Sequence, residues 1–224
     1  MKSTHRHNLI ITIDGPAGVG KTTVSSLLAK KLGFLYLESG ALYRALALKV
    51  LRFGKKITPS IPKILKYTRI DIVIKAGKAS IVLDGEVVDP FLREEAVGTY
   101  ASKISQLKEV RAFLLEVQRQ LGKKHNLVAE GRDMGSVVFP HADFKFYMDA
   151  DPSIRVERRF LEVKKKKKDI LKQEIKEKLT RRDQEDFQRA HSPLIIPKNS
   201  IIINTSNITV DEVVEKIYAL VVAR

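Results

Sequence analysis

The sequence of 224 residues contains no cysteine. Disulfide bonds and thiolate metal sites are therefore excluded, and this composition is typical of proteins from a reducing compartment. No apolar run approaches the roughly 18 residues that a membrane-spanning helix needs. Residues 1–8 are polar and basic, without the apolar stretch of a secretory signal. We therefore expect a cytoplasmic protein that does not cross a membrane.

Acidic residues are scarce relative to basic ones. There are 26 Asp and Glu against 41 Lys and Arg, which gives a formal net charge of +15. Such a surplus is found in proteins that bind nucleic acid and in proteins that bind small polyanions. Much of it lies in residues 155–183, where five consecutive lysines at 164–168 are interpreted as a solvated hinge between two helices.

The residues at 15–22 have the pattern G-x-x-x-x-G-K-T between an apolar run at 9–13 and a helical pattern that ends at Gly33. In that context the glycines let backbone N–H groups surround a phosphate, and the helix N-terminus adds its dipole. Lys21 is placed to reach the β- and γ-phosphates, and the Thr22 hydroxyl to ligate Mg²⁺. The motif predicts nucleoside triphosphate binding by Gly15, Pro16, Ala17, Gly18, Val19, Gly20, Lys21, Thr22 and Thr23.

Strands alternate with helices along most of the chain, which predicts a mainly parallel, three-layer α/β fold. The predicted core strands are 9–13, 34–37, 127–130, 144–148 and 200–204. Between 70 and 88 the apolar period changes to two and turns recur at 76–78 and 84–85, so we predict an inserted antiparallel meander. Helices are predicted over about 94–104, 108–121 and 170–182.

Helix faces and helix starts are also predicted from the pattern. The first helix is expected to bury Val24, Leu27, Leu28 and Leu32. Asp151 is expected to cap a helix that has Pro152 in its first turn. A capping box at 209–212 is expected to open the last helix, whose buried face is predicted as Val213, Val214, Ile217 and Leu220.

Arginines are abundant where predicted strands end and helices begin, whereas the five histidines are scattered and form no catalytic set. Phosphoryl transfer depends on positioning and positive charge far more than on covalent help. A phosphate acceptor is already an anionic nucleophile and needs no general base, but it needs arginines to shield its charge. The pattern therefore favours a phosphate acceptor over an alcohol. The arginines concerned are Arg44, Arg132, Arg155, Arg158, Arg159, Arg181, Arg182 and Arg189.

Four blocks of sequence, in order along nearly the whole chain, resemble bacterial cytidylate kinases. They are the phosphate loop, E-S-G-A-L-Y-R at 38–44, E-G-R-D-M-G-S-V-V-F-P at 130–140, and R-D-x-x-D-x-x-R-x-x-x-P-L at 182–194. The third block is specific to that family, whereas the phosphate loop is generic. Members of the family transfer a phosphoryl group from ATP to CMP or dCMP, so the resemblance implies the same reaction, a P-loop kinase fold and a monomer.

The resemblance also implies roles for individual residues. The CMP phosphate is assigned to Arg44, Arg132 and Arg189. The cytosine base is assigned to Ser102, Arg111 and Asp133, with Ser39 nearby. The ribose hydroxyls are assigned to Arg182 and Asp186. Arg155, Arg158 and Arg159 are assigned to a lid over ATP, where with Lys21 they would stabilise the transferred phosphoryl group.

The resemblance divides a single domain, 1–224, into a core of about 1–58, 107–151 and 183–224, a monophosphate-binding insertion of about 59–106 and a helical lid of about 152–182. Two features depart from the family pattern: Glu38 replaces the usual Asp, and Gln184, Glu185 and Phe187 surround the kept Asp186. No second carboxylate for the metal is evident, which leaves Mg²⁺ to Thr22, the phosphates and water.

Three other functions stay open at this point. The nearest is a phosphate-loop kinase for another monophosphate or for a small alcohol. A nucleic-acid-stimulated ATPase is suggested only by the net charge, so we expect no nucleic-acid partner. A nucleotide-sensing module without turnover is the third, although Lys21 and Thr22 are both present.

Overall fold

The computed structural model describes residues 7–54, 61–75, 78–165 and 170–223. The described residues form two compact units, one within Met1–Leu37 and His125–Arg224 and the other within Glu38–Lys124. The predicted turn at Ala76 and Gly77, and residues 166–168 of the five-lysine run, lie outside the described ranges. Within these ranges, no helix combines the length and the apolar character needed to span a bilayer.

Strands and helices alternate as follows in chain order. They are β1 (Ile10–Asp14), α1 (Lys21–Leu32), β2 (Leu35–Glu38), α2 (Ser39–Arg52), α3 (Ile61–Lys66), β3 (Ile70–Lys75), β4 (Lys78–Leu83), β5 (Glu86–Val87), α4 (Glu95–Ile104), α5 (Lys108–Lys124), β6 (Leu127–Gly131), β7 (Phe144–Asp149), α6 (Pro152–Lys164), α7 (Lys172–Gln188), β8 (Ile201–Asn204) and α8 (Val210–Val222). Asp89–Phe91 forms a 3₁₀ turn and Met134–Val138 a π-helical turn.

The main sheet has five strands in the order β2-β6-β1-β7-β8, which confirms the predicted core strands. Strand β1 pairs in parallel with both β6 and β7, and β7 pairs in parallel with β8. Because β1 is central, its side chains Ile11 and Ile13 are fully buried, with Phe146 of β7, Leu28 of α1 and Ile217 of α8 in the same core. The carboxyl ends of β1, β6 and β7 therefore lie side by side, where ligands of such sheets bind.

Two helix faces differ from the prediction by one position each. Leu27 of α1 is 40% exposed, because the buried face is centred on Val24 and Leu28 and a residue advances by about 100° around the axis. In α8, Leu220 is 38% exposed, and Val221, which is 8% exposed, takes the predicted buried position.

Three helix ends also differ from the prediction. Helix α5 continues through Gly122 to Lys124, and α7 extends to Gln188 instead of ending at 182. Asp151 occupies the N-cap of α6 with Pro152 behind it, but its side chain makes no capping hydrogen bond. The capping box of α8 is confirmed, since Thr209 and Glu212 each accept a hydrogen bond from the other's backbone amide.

Helices α6 and α7 pack on the phosphate loop through a small apolar cluster of their own. Val156 of α6 and Ile175 and Leu179 of α7 are buried together with Ala17. The apolar contact fixes these two helices beside the loop, so the charged side chains that follow on α7 are held close to it.

The unit within Glu38–Lys124 contains the predicted antiparallel meander, with β3, β4 and β5 as neighbours in one sheet. Helix α2 packs against α4 and β4 of this unit. Lys49 of α2 is 5% exposed, and its Nζ lies 2.7 Å from the Asp84 carboxylate and donates to the carbonyl oxygen of Tyr67. A buried ammonium group therefore joins the helix to both ends of the β3–β4 hairpin.

We expect Lys49→Met to destabilise this unit by about 2 kcal/mol, because the Tyr67 carbonyl and the half-exposed Asp84 lose their shared donor. Arg52→Met is the matched control on the same helix, since the pair between Arg52 and Glu86 lies in solvent and contributes little. The measurement is urea unfolding followed by circular dichroism. Equal midpoints for the two variants would contradict the role given to Lys49.

Candidate functional site

The phosphate loop between β1 and α1 bends at three glycines. Gly15, Gly18 and Gly20 all have positive φ angles. A Cβ on Gly15 would lie 2.1 Å from the carbonyl oxygen of Met148, so strand β7 excludes any side chain there. The loop and the first turn of α1 carry all nine residues predicted to bind the nucleoside triphosphate: Gly15, Pro16, Ala17, Gly18, Val19, Gly20, Lys21, Thr22 and Thr23.

Lys21 begins α1 and is buried inside this loop. Its Nζ donates a hydrogen bond to the carbonyl oxygen of Pro16 at 2.7 Å. Burial lowers the pKa of Lys21 and the charge of Arg132 lowers it further, whereas Glu130 and Asp14 act in the opposite direction. An ammonium group held in this way, with little water around it, can bind a phosphate oxygen without further reorganisation.

Glu130, the fourth residue of β6, is a site residue that the sequence did not reveal. Its Oε1 accepts a hydrogen bond from the Thr22 hydroxyl at 2.8 Å and another from the Tyr36 hydroxyl at 3.2 Å. The only signal in the sequence is an acidic residue near the end of a buried strand. Since Thr22 donates its proton to Glu130, the lone pairs of the Thr22 hydroxyl remain available for a cation.

This pair fits magnesium better than a cation held by protein ligands alone. In the described part of the chain, no three His, Asp or Glu side chains converge on one point. Mg²⁺ in kinase sites is bound by one or two protein oxygens together with substrate phosphates and water. Thr22 and Glu130 supply such oxygens beside the phosphate loop.

Asp14, the last residue of β1, is the second site residue that the sequence did not reveal. Its side chain is fully buried, and its two oxygens accept hydrogen bonds from the backbone amides of Met134 and Gly135 at 2.8 and 2.7 Å. Burial raises the pKa of Asp14 to about 7, although the two amide hydrogen bonds and Lys21 oppose that rise. An acidic residue closing a buried apolar strand was again the only signal.

Four of the predicted CMP-binding residues lie together around Asp186 of α7. Its Oδ2 accepts a hydrogen bond from Arg132 Nε at 2.6 Å, and its Oδ1 lies 3.5 Å from Arg189 NH1. Arg189 NH2 lies 3.8 Å from the Asp133 carboxylate. Burial by itself would raise the pKa of Asp186, but the charges of Arg132, Arg182 and Arg189 lower it below its ordinary value.

Asp183, one turn before Asp186, connects α7 to the phosphate loop. Its Oδ1 accepts a hydrogen bond from the amide of Ala17 at 3.2 Å, and its Oδ2 pairs with Arg155. Arg155 also donates to the carbonyl oxygen of Ala17 at 3.1 Å. Of the three predicted lid arginines, Arg155 is therefore the one in direct contact with the loop.

The remaining lid arginines have different partners. Arg158 donates to the hydroxyl and the carbonyl oxygen of Thr205, at 3.1 and 2.6 Å, in the segment after β8. Arg159 is half-exposed and pairs with Glu162 on the same helix at 2.7 Å. Arg182 is exposed on α7, and its charge acts on Lys21 and Asp186.

The other four predicted CMP-binding residues lie in the unit within Glu38–Lys124. Ser39 begins α2 and is buried, and Arg44 of the same helix donates to Glu38 at 2.6 Å. Arg111 of α5 donates to the carbonyl oxygen of Ser105 at 3.1 Å, and its guanidinium lies 5.7 Å from the ring of Tyr43. The Ser105 hydroxyl in turn donates to the carbonyl oxygen of Ser102 at 2.8 Å. Hydrogen bonds through Ser105 thus connect Ser102 and Arg111.

Comparisons with known proteins agree on one family. A family model described as cytidylate kinase matches residues 11–223. The chain is 41% identical over 212 residues to the cytidylate kinase of Caldicellulosiruptor saccharolyticus, covering 94% of each protein. It is 39% identical over 210 residues to that of Clostridioides difficile, covering 94% of this chain and 96% of that protein.

Two solved structures share the fold at low sequence identity. One is an uncharacterized protein from Eubacterium ventriosum, with a TM-score of 0.56, 12% identity and coverage of 97% of this chain and 99% of that one. The other is a gluconokinase from Sinorhizobium meliloti, with a TM-score of 0.50, 12% identity and coverage of 97% and 94%. The fold is thus found among kinases, and, because the family model and both relatives extend over nearly its full length, this chain belongs to the cytidylate kinase family.

Proposed function

We propose that this protein transfers the γ-phosphoryl group of Mg·ATP to CMP or dCMP, giving ADP and CDP or dCDP. One observation carries the proposal: a complete phosphate loop and the cluster of Arg132, Asp133, Asp186 and Arg189 belong to the same compact unit. The loop supplies the donor site, and two guanidinium groups held by carboxylates supply an anion site close to it.

The proposed acceptor chemistry agrees with the side chains at the site. The CMP phosphate brings an anionic oxygen that attacks without a general base. Arg132 and Arg189 offset its charge, so that two phosphates can approach each other. Ser39, Arg44, Ser102, Arg111 and Arg182 stay predictions for the acceptor's phosphate, base and ribose.

In the proposed mechanism, the transfer is a direct in-line displacement. Lys21 stabilises negative charge on the transferred phosphoryl group from inside the loop, and Arg155 is held beside the loop by Asp183. Thr22 and Glu130 would hold Mg²⁺. When bound, the metal supplies positive charge that bridges and neutralises the donor phosphates. Exclusion of water by the helical lid would limit hydrolysis of ATP.

We further propose that the enzyme acts as a cytoplasmic monomer without a nucleic-acid partner. The test of the whole proposal is an ADP-release assay with Mg·ATP that offers CMP, dCMP, UMP, AMP and GMP separately, and RNA in parallel. The expected result is turnover with CMP and dCMP well above the other monophosphates, with no stimulation by RNA. Stimulation by RNA alone would replace the kinase by a nucleic-acid-stimulated ATPase.

Lys21→Met is expected to lower kcat at least about 100-fold, because it removes the buried cation that faces the transferred group. The fold should survive, since the lowered pKa of Lys21 means that burying its charge costs stability. Lys31→Met is the control at the other end of α1, where the lysine pairs with Glu215 in solvent. A Lys21→Met variant with wild-type kcat would contradict the assignment.

Glu130→Gln is expected to raise the magnesium concentration for half-maximal activity by about 10-fold or more, because the metal site loses a carboxylate charge. Tyr36→Phe is the control, since it removes the other hydroxyl hydrogen bond to Glu130 and leaves the carboxylate in place. The measurement is initial rate against Mg²⁺ at fixed ATP. An unchanged magnesium requirement in Glu130→Gln would assign Glu130 to orienting Thr22 alone.

A further inference from the structure

Asp14 joins the strand that leads into the phosphate loop to the turn that follows β6. It directly precedes Gly15, and its two oxygens accept one hydrogen bond each, from Met134 at 2.8 Å and Gly135 at 2.7 Å. The side chain is fully buried, so water cannot take the place of either partner. The two segments are therefore coupled through one carboxylate.

The turn after β6 depends on an acceptor of this kind. It is a π-helical turn over Met134–Val138 that begins at Asp133, whose carbonyl oxygen accepts from Val137 and Val138 at 2.9 and 3.0 Å. The first amides of any helical turn have no partner within the turn. Asp14 satisfies two of them, which gives the turn a fixed distance from β1.

The approach of the turn to β1 is as close as glycine permits. A Cβ on Gly135 would lie 2.8 Å from Thr12 Oγ1, 3.1 Å from Pro197 Cγ and 3.3 Å from Asp14 Oδ2. The two residues immediately before this turn are Arg132, which pairs with Asp186, and Asp133, which faces Arg189. A displacement of the turn would therefore move both side chains.

We propose that ionised Asp14 is a positioning residue that holds Arg132 and Asp133 in place for the acceptor nucleotide. This role rests on the proposed function, since those two residues are the ones assigned to CMP. Asp14 does not touch the acceptor itself in this proposal. It acts through the backbone of the turn and connects acceptor binding to the strand that carries the phosphate loop.

The charge state of Asp14 bears on this role. An ionised carboxylate accepts with both oxygens, whereas a protonated one carries a hydroxyl that competes with one amide donor. The pKa of Asp14 is raised to about 7, by burial first and then by Asp133, while Lys21 of α1 opposes the rise. Tyr147 of β7 also interacts with its charge. We therefore expect the turn to be held less firmly below neutral pH.

The experiment compares three variants of the full chain. Asp14→Asn keeps the shape but leaves one amide facing an NH₂ group. Gly135→Ala keeps the charge of Asp14 and displaces the same turn from its other contact. Asp143→Asn is the matched control, because Asp143 also accepts a backbone amide of β1, that of Ile10 at 3.0 Å, but at the opposite end of the strand.

Steady-state kinetics at pH 8 should show a rise of about 10-fold or more in KM for CMP in Asp14→Asn and Gly135→Ala, a smaller change in KM for ATP, and a lower preference for CMP over UMP. Asp143→Asn should match the wild type. A purely structural role would lower the active fraction, and hence kcat, without changing KM or the preference. Unchanged KM for CMP in Asp14→Asn would overturn the proposal.

Two further readouts separate this proposal from the proposed function. The ratio of KM for CMP between Asp14→Asn and wild type should fall towards one as the pH decreases to about 5.5, since wild-type Asp14 is then protonated. The CMP phosphate titrates equally in both proteins and cancels in the ratio, and a constant ratio would refute the role of the charge. Faster hydrogen exchange of residues 131–138 in Asp14→Asn, but not in Asp143→Asn, tests the turn without any acceptor. Absence of that change would overturn the proposal even if CMP is not the substrate, and lack of CMP turnover by the wild type would overturn the proposed function alone.

Discussion

Buried charge at the carboxyl ends of β1 and β6 is the constraint on which the site depends. These strands are adjacent and in parallel register, with Ile13 opposite Glu130 and Asp14 opposite Gly131. A carboxylate removed from water is costly unless it accepts hydrogen bonds. Asp14 finds two backbone amides, and Glu130 finds the hydroxyls of Thr22 and Tyr36. The need to satisfy these two groups therefore determines how the turn after β6 and the first turn of α1 are arranged.

Helix α7 extends the same principle to the other side of the phosphate loop. Asp183 and Asp186 are three residues apart, so they lie on one face of the helix. The first accepts the amide of Ala17 and pairs with Arg155, and the second pairs with Arg132. This arrangement needs α7 to continue without a break to Gln188, which is why a helix ending at 182 was the wrong prediction. One helix thereby stabilises both the donor loop and the acceptor arginines.

Local patterns in the sequence predicted most of the fold and the donor half of the site. The phosphate loop, the five core strands and the capping box all depend on residues within a few positions of one another. Glu130 and Asp14 could not be predicted in this way, because their partners Thr22 and Met134 are 108 and 120 residues away in the chain. An acidic residue near the end of a buried strand looks the same whether it contacts solvent, a metal or an amide, and only the register of neighbouring strands distinguishes these cases.

The lid arginines show why counting residue types does not assign their roles. Arg155, Arg158 and Arg159 lie within little more than one turn of α6, yet each faces a different partner. Arg158 makes a two-pronged contact with Thr205, whose loss would leave a buried hydroxyl and carbonyl unsatisfied. Arg159 pairs with Glu162 in solvent, and such a pair is weak. Among the three, Arg159 can therefore exchange its partner for a phosphate at the least cost, whereas Arg158 is bound to the segment that follows β8.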